Sequence, residues 1–210
     1  FEQIQGFGEY GFPESHSYSF ALLAYASSWL KCHRPAFFTC ALLNSQPMGF
    51  YQPSQLIQDA QRHAVRVLPV DVVISDRDCT LEHVPHSDSL ALRLGMRQVK
   101  GLSEDLCARL IAARDVRPFA DVADMTRRAR VTKPERACLA DAGALRSQSE
   151  HRYQARWDSA GAELPLPVLA DACVREEKVA LRPPSLRAAV MTDYATQGLS
   201  LTLHPPALHR

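Results

Sequence analysis

The chain has 210 residues, of which 46% are hydrophobic and 22% are charged, and its formal net charge is +1. This length allows one large domain or two small ones, and the apolar content suffices for a buried core. It contains no run of about 18 apolar residues and no secretory signal pattern, so we expect neither a membrane span nor export. Residue 1 is Phe within a helix-like stretch, which favours an excised segment of a longer cytoplasmic protein.

The charge is distributed unevenly along the chain. Residues 93–156 hold 14 Lys/Arg and 8 Asp/Glu, whereas the rest of the chain holds 10 and 15. A basic concentration of this kind is what a phosphate-binding surface needs. A solvated helical surface produces the same pattern, and charge alone does not separate the two.

The first half of the chain reads as helices followed by a small β element. Helices are predicted from Glu14 to about residue 32, from Pro35 to about 43 and from Pro53 to about 63. The first is apolar on two sides, so we expect it to be buried on both. A strand is predicted at 65–68, a polar loop at 75–88, and a second strand at 90–94 beside the first.

The first helix begins in Gly-Phe-Pro-Glu-Ser-His, residues 11–16. Ser15 and His16 stand in its first turn, where backbone N–H groups, a hydroxyl and an imidazole can hold a phosphate. An ordinary capped helix start explains the same residues, and the spacing favours that simpler interpretation.

The most informative stretch is Val99-Lys100-Gly101-Leu102-Ser103, followed by a predicted helix over 103–114. A glycine turn lets the main chain approach a phosphate closely. The N–H groups and the positive dipole end of the following helix then face that anion. This pattern is typical of a helix-hairpin-helix, which holds a nucleic-acid backbone without reading its sequence.

A second, weaker hairpin follows. Helices are predicted from Asp121 to about 130, from about 132 to 142, and from about 149 to 160, with a turn at Gly143 between the last two. Ser103 stands where such turns often carry a second glycine, and the second hairpin has one glycine, so we expect the first to bind better. The residues predicted to bind DNA are Val99, Lys100, Gly101, Leu102, Ser103, Arg109, Lys133, Gly143 and Arg146.

The remaining candidates for chemistry are weak. The sequence contains no Walker-type phosphate loop, HExxH or GxSxG motif, so no catalytic residue is assigned. Cys79, His83 and His86 lack a nearby fourth ligand, and the pair Asp76 and Asp78 lies in a polar turn, so no metal site is predicted. The six cysteines form no CxxC pair and read as reduced thiols. Residues 161–186 read as a mobile linker, and the tail from Met191 is expected to dock as a short helix.

Several long blocks resemble a known family. They are residues 11–23, 25–35 and 41–51, with shorter blocks at 68–72, 92–102, 142–145 and 198–201. The chain resembles the bacterial C-family DNA polymerases, the DNA polymerase III alpha subunits, and most closely their error-prone, damage-induced branch. Replicative members usually carry Asn-Lys where this chain has Pro13 and Glu14, so a lysine contact to phosphate is lost here.

The resemblance implies a mainly α fold in three parts. Residues 1–90 correspond to the end of the polymerase fingers with a small β element, and 91–160 to a tandem helix-hairpin-helix. Residues 161–210 correspond to an irregular linker leading toward an OB-fold. The palm with its catalytic aspartates would precede Phe1, so Mg²⁺ is expected only for the parent enzyme. In the family, the block containing Ser15 and His16 lies near the incoming nucleotide.

Two functions therefore remain open. The first is the duplex-gripping segment of an error-prone translesion polymerase, with primer-template DNA, incoming nucleotide, accessory mutagenesis proteins and a sliding clamp as partners of the parent. The alternative is a non-catalytic hairpin scaffold that mainly binds proteins. A small hydrolase built on the Cys79 loop has little support.

Overall fold

A computed structural model describes residues 14–49, 51–87, 89–162 and 179–203. The mainly α prediction is confirmed, because this part of the chain folds into eight α-helices, one 3-10 helix and a three-stranded sheet. The elements are α1 (Glu14–His33), α2 (Pro35–Asn44), α3 (Pro53–Arg62), β1 (Val67–Leu68), β2 (Thr80–His83), β3 (Leu90–Arg93), the 3-10 helix Met96–Gln98, α4 (Glu104–Val116), α5 (Val122–Arg128), α6 (Lys133–Asp141), α7 (Arg152–Gly161) and α8 (Leu186–Gln197).

Local signals set most helix ends. Prolines occupy the first turns of α2, α3 and α6, where a missing N–H costs nothing. The Ser103 hydroxyl accepts from the Leu106 N–H at 3.1 Å and caps α4, and the Asp121 carboxylate caps α5 in the same way. The predicted helices 103–114 and 121–130 therefore match within a few residues.

The sheet has the order β1-β3-β2. The prediction that the strand near 90–94 lies beside the first is confirmed, since β3 pairs parallel with β1 and places Leu92 opposite Val67. The prediction of a loop throughout 75–88 is wrong, because β2 forms an antiparallel edge strand. The strand was not predicted because its sequence is polar. Glu82 lies on β2 and accepts a hydrogen bond from the Arg93 Nε at 2.7 Å.

One hydrophobic core connects the sheet to the hairpins. Its completely buried members include Leu92, Leu94 and Met96 at the entry to the first hairpin, and Leu106 and Leu145 in the two hairpins. The core runs without interruption past residue 90. The domain boundary near that residue stays a prediction.

Gly95 fixes how the chain enters the first hairpin. A Cβ at this position would lie 2.3 Å from the Asp78 carbonyl carbon, so only glycine fits. The close approach lets the Met96 N–H donate to the Asp76 carbonyl at 2.8 Å and the Arg97 N–H to the Arg77 carbonyl at 3.0 Å. The segment before β2 thus holds the 3-10 helix in place.

The expected burial of α1 on two sides is wrong for the described chain. Tyr18, Leu23 and Tyr25 are 67%, 61% and 73% exposed, and Trp29 is 47% exposed. The helix contacts α2. An apolar pattern shows what a helix can bury, and no described element covers the rest of this surface. Among the helices of the described ranges, none has the length and apolar composition needed to cross a membrane.

The tail docks, as expected, but its helix begins earlier than Met191. Helix α8 starts at Leu186 after a Ser185 cap and buries Val190 completely. The end of the predicted linker is also tied down, because the Leu181 N–H donates to Gln154 at 3.1 Å and its carbonyl lies 2.8 Å from the His151 Nε2. Residues 163–178 and 204–210 lie outside the described residues, as does Cys173.

Candidate nucleic-acid interface

The first hairpin presents an open set of backbone donors. Gly101 has a φ of +84°, which turns the chain between the 3-10 helix and α4. The Leu102 N–H closes the turn on the Val99 carbonyl at 3.4 Å. The N–H groups of Gly101 and Ser103 have no hydrogen-bond acceptor among the described residues. Together with the N-terminal end of α4, they form a cradle suited to one phosphate.

Two acidic residues flank this cradle, and both are paired. Glu104 lies 3.2 Å from the Arg77 guanidinium, and Asp105 lies 2.8 Å from that of Arg109. Both carboxylates are largely exposed, so each pair contributes little to stability. The pairing nevertheless offsets negative charge next to the open N–H groups.

Lys100, which we expected to contact DNA, is exposed and bonds to the end of α8. Its ammonium donates to the carbonyls of Tyr194 and Ala195 at 3.4 and 3.2 Å. Its own N–H donates to the Thr196 carbonyl at 2.9 Å. These carbonyls end α8, where the helix dipole favours a cation. The side chain is therefore bonded within the chain while it remains exposed, and its contact with DNA stays a prediction.

Arg109 is also bonded to other residues of the protein. Its guanidinium bonds to Asp105 at 2.8 Å, to Glu135 at 2.9 Å and to the carbonyls of Ala129 and Arg130. Burial by itself would lower the pKa of this guanidinium, but the two carboxylates raise it overall. Arg109 thus ties α4 to the junction between α5 and α6.

Two cations at that junction remain exposed. Arg130 has a φ of +49°, and its carbonyl lies 2.8 Å from the Arg109 guanidinium, close to α4. Lys133 opens α6 directly afterwards. Neither side chain has a partner within the described ranges. Both are exposed and therefore available to an anion.

The second hairpin closes its turn with its own amides. Gly143 has a φ of +69°, its N–H donates to the Ala140 carbonyl at 3.0 Å, and the Ala144 N–H donates to Leu139 at 2.9 Å. These bonds satisfy carbonyls at the end of α6. Arg146 is exposed without a partner in the described chain and lines a cleft of about 210 Å³.

Arg152 also lines this cleft. It is 8% exposed, forms an ion pair with Asp193 and donates to the Ala189 carbonyl at 2.8 Å. Ser200 completes the cluster by donating to Asp193 at 2.7 Å. No local pattern identifies Arg152 or Asp193, because nothing in the sequence links residues 41 positions apart.

Most cations of the basic concentration in residues 93–156 are paired within the protein. Of its 14 cations, 11 have side chains bonded to carboxylates or carbonyls of the protein. Within the described residues, those left without a partner are Arg130, Lys133 and Arg146.

Comparison with known proteins identifies a matching motif and several similar proteins. A family model described as a helix-hairpin-helix motif matches residues 64–155. The whole chain is 53% identical to an error-prone DNA polymerase of Pseudomonas syringae pv. tomato, 55% to that of Alkalilimnicola ehrlichii and 54% to that of Bordetella parapertussis. Over its whole length the chain therefore matches a segment of bacterial error-prone DNA polymerases. It spans about one fifth of the length of these relatives, covering 21%, 20% and 20% of them respectively.

The residues predicted to lie near an incoming nucleotide are at the start of α1. His16 is exposed, and its ring centroid is 4.5 Å from that of Phe20. Residues 1–13 and the side chain of Ser15 lie outside the described part. A role for Ser15 and His16 near nucleotide stays a prediction.

The candidate metal ligands at residues 76–86 differ in burial or are already paired. Cys79 is 3% exposed and burial raises the pKa of its thiol, whereas His83 and His86 are exposed. Asp76 pairs with Arg114 at 2.7 Å and Asp78 with Arg97 at 3.0 Å. Across the described ranges, no group of three or more His, Cys, Asp or Glu side chains is arranged for a metal ion. These residues do not fit the Mg²⁺ of a polymerase.

Proposed function

We propose that this chain grips the backbone of duplex DNA for an error-prone DNA polymerase. The supporting observation is the open cradle at the start of α4, formed by the Gly101 and Ser103 N–H groups in a segment that matches the helix-hairpin-helix motif. Backbone N–H groups at a helix N-terminus bind phosphate irrespective of base sequence. The grip is therefore not sequence-specific.

Three cations add to this cradle. Arg130 and Lys133 flank α4 from the α5–α6 junction, and Arg146 stands on the second hairpin. Lys100, Arg109 and Gly143 support the grip by holding the hairpins in shape. Val99 and Leu102 belong to the turn of the first hairpin, and Val99 is 2% exposed.

The parent enzyme would be a DNA-directed DNA polymerase of the cytoplasm that acts in damage-induced translesion synthesis. In this proposal residues 1–90 complete its fingers, 91–160 hold the primer-template, and 161–210 lead toward an OB-fold. Ser15 and His16 would approach the incoming nucleotide. Mg²⁺, the accessory proteins and the sliding clamp belong to the parent, and this chain alone is expected to show no nucleotide incorporation.

The salt dependence of binding to a mixed-sequence duplex tests the grip. Each neutralised phosphate contributes about −0.9 to the slope of log K against log salt concentration, so three free cations predict a slope no steeper than about −2.7. If most of the 14 basic residues contacted DNA, the slope would be several times steeper. A chain that binds no duplex at low salt would overturn the proposal.

A second candidate is a protein-binding scaffold. The exposed apolar side chains of α1, such as Tyr25 at 73% and Leu23 at 61%, favour contact with another protein surface. This function predicts duplex affinity that does not change when both Arg146 and Lys133 are replaced by alanine. Loss of duplex binding in that double variant would support the DNA grip instead.

A further inference from the structure

The last turn of α8 contacts both hairpins at equivalent places. The Thr196 carbonyl accepts from the N–H of Lys100, the residue directly before Gly101, at 2.9 Å. The Gln197 side chain donates to the carbonyl of Ala142, the residue directly before Gly143, at 2.8 Å. Two neighbouring residues of one helix thus bond to the backbone next to each glycine turn.

Helix α8 is itself firmly anchored. Val190 is completely buried and Leu199 is 3% exposed. Asp193 forms a buried ion pair with Arg152 at the start of α7. A helix held at its middle and joined to both hairpins at its end restricts how far the hairpins can move relative to each other.

Two phosphate contacts strengthen each other only when their spacing matches the duplex, because the second contact is then intramolecular. The described hairpins also touch directly, since the Cys138 thiol donates to the Lys100 carbonyl at 2.9 Å. We propose that Thr196 and Gln197, in the last turn of α8, set the spacing of the two glycine turns and thereby position the DNA grip. This inference rests on the proposed function. It extends the binding unit beyond residues 64–155, where the family match ends.

Gln197→Ala tests this role, because it removes the α8 bond to the second hairpin without touching a candidate phosphate contact. We expect duplex affinity to fall about 3- to 10-fold, the range expected for one lost hydrogen bond, while the salt slope stays unchanged. Arg146→Ala, by contrast, should reduce the steepness of that slope by about 0.9. Met191→Ala is the matched control, because Met191 lies on the same helix and is 59% exposed. It should leave affinity unchanged.

Hydrogen exchange provides a readout independent of DNA. The Lys100 N–H bonds to α8 next to Gln197 but lies on the other hairpin. If α8 couples the hairpins, Gln197→Ala should speed exchange at Lys100, and Met191→Ala should not.

The outcomes separate the two proposals. Failure of the unaltered chain to bind duplex would overturn the proposed function. If that chain binds but Gln197→Ala binds as tightly as Met191→Ala, or leaves exchange at Lys100 unchanged, the positioning role is overturned alone. A salt slope that flattens in Gln197→Ala as much as in Arg146→Ala would also overturn it, because a cation contact to phosphate would then be lost rather than misaligned.

Discussion

The two hairpins share a glycine turn but present opposite groups to an anion. In the first, the N–H groups of Gly101 and Ser103 are open, whereas the Lys100 ammonium is bonded to the end of α8. In the second, the N–H groups of Gly143 and Ala144 close the turn, and the cation beside it is exposed. A helix-hairpin-helix can thus offer a phosphate either backbone donors or a side-chain cation.

The difference follows from how soon the next helix begins. Helix α4 begins at Glu104, close after Gly101, so its open N–H end faces the turn. Helix α7 begins only at Arg152, and the intervening turn carries Arg146 outward. Substitutions in and around the two hairpins can test this contrast.

Asp193→Ala should cause the largest loss in the free energy of unfolding, because Asp193 anchors the second hairpin. It would leave the Arg152 guanidinium, whose side chain is 7% exposed, without its charge partner. Breaking a buried ion pair on one side costs about 3–5 kcal/mol. Chemical denaturation measures the loss in the free energy of unfolding. Asp141→Ala is the control, because its partner Arg156 is 58% exposed, and it should cost at most about 1 kcal/mol. Equal losses in the two variants would contradict the central role of Asp193.

Replacing each turn glycine by alanine should destabilise the protein by different amounts at the two hairpins. Both positions have positive φ, which costs an alanine about 1–2 kcal/mol. At Gly143 the new Cβ would also lie 3.3 Å from the Arg152 guanidinium, whereas at Gly101 its nearest neighbour is the Cys138 sulfur at 3.6 Å. Thermal unfolding should therefore show a larger loss for Gly143→Ala. A larger loss for Gly101→Ala would show that the first turn is the tighter one.

Removing Arg146 and removing Lys100 should have different effects. Arg146→Ala is expected to lower duplex affinity and to make the salt slope shallower by about 0.9. Lys100→Ala should leave that slope unchanged and lower the free energy of unfolding by about 0.5–1 kcal/mol, since it removes a cation from a helix C-terminus. Binding titrations at several salt concentrations, with unfolding curves, measure both effects. A slope change in Lys100→Ala would mean that its side chain leaves α8 on binding.

The helix between the hairpins, α5, should make a contribution to stability that depends on pH. Burial by itself would raise the pKa of Asp124, but the Ala120 N–H and the Arg128 and Arg117 guanidinium groups lower it overall. The stabilisation is therefore present above the unfolded-state pKa of about 3.9 and is lost as pH falls through the lower folded-state value. Unfolding measured from pH 7 to pH 3 should show the advantage over Asp124→Asn shrinking toward acid. A constant difference would contradict this role.

Much of the hairpin architecture was predictable from the sequence, because its signals are local. Proline in a first helical turn, the Ser103 cap and glycine at a positive φ act within a few residues of themselves. The edge strand β2 was missed because half-exposed strands carry polar residues such as Glu82. The exposure of α1 was missed because amphipathicity does not reveal whether a covering surface is present.

Local sequence patterns were enough to predict most of the helices, the turns at Gly101 and Gly143, and the resemblance to error-prone DNA polymerases. Tertiary structure alone decided which cations remain free. Lys100 meets α8 and Arg152 meets Asp193 across 94 and 41 positions of the chain, respectively. Charge composition counts every Lys and Arg alike, whereas an ion pair depends on which distant carboxylates and carbonyls packing brings within about 4 Å. Local patterns therefore predicted the hairpins, and packing between distant residues decided which of their polar groups remain unpaired.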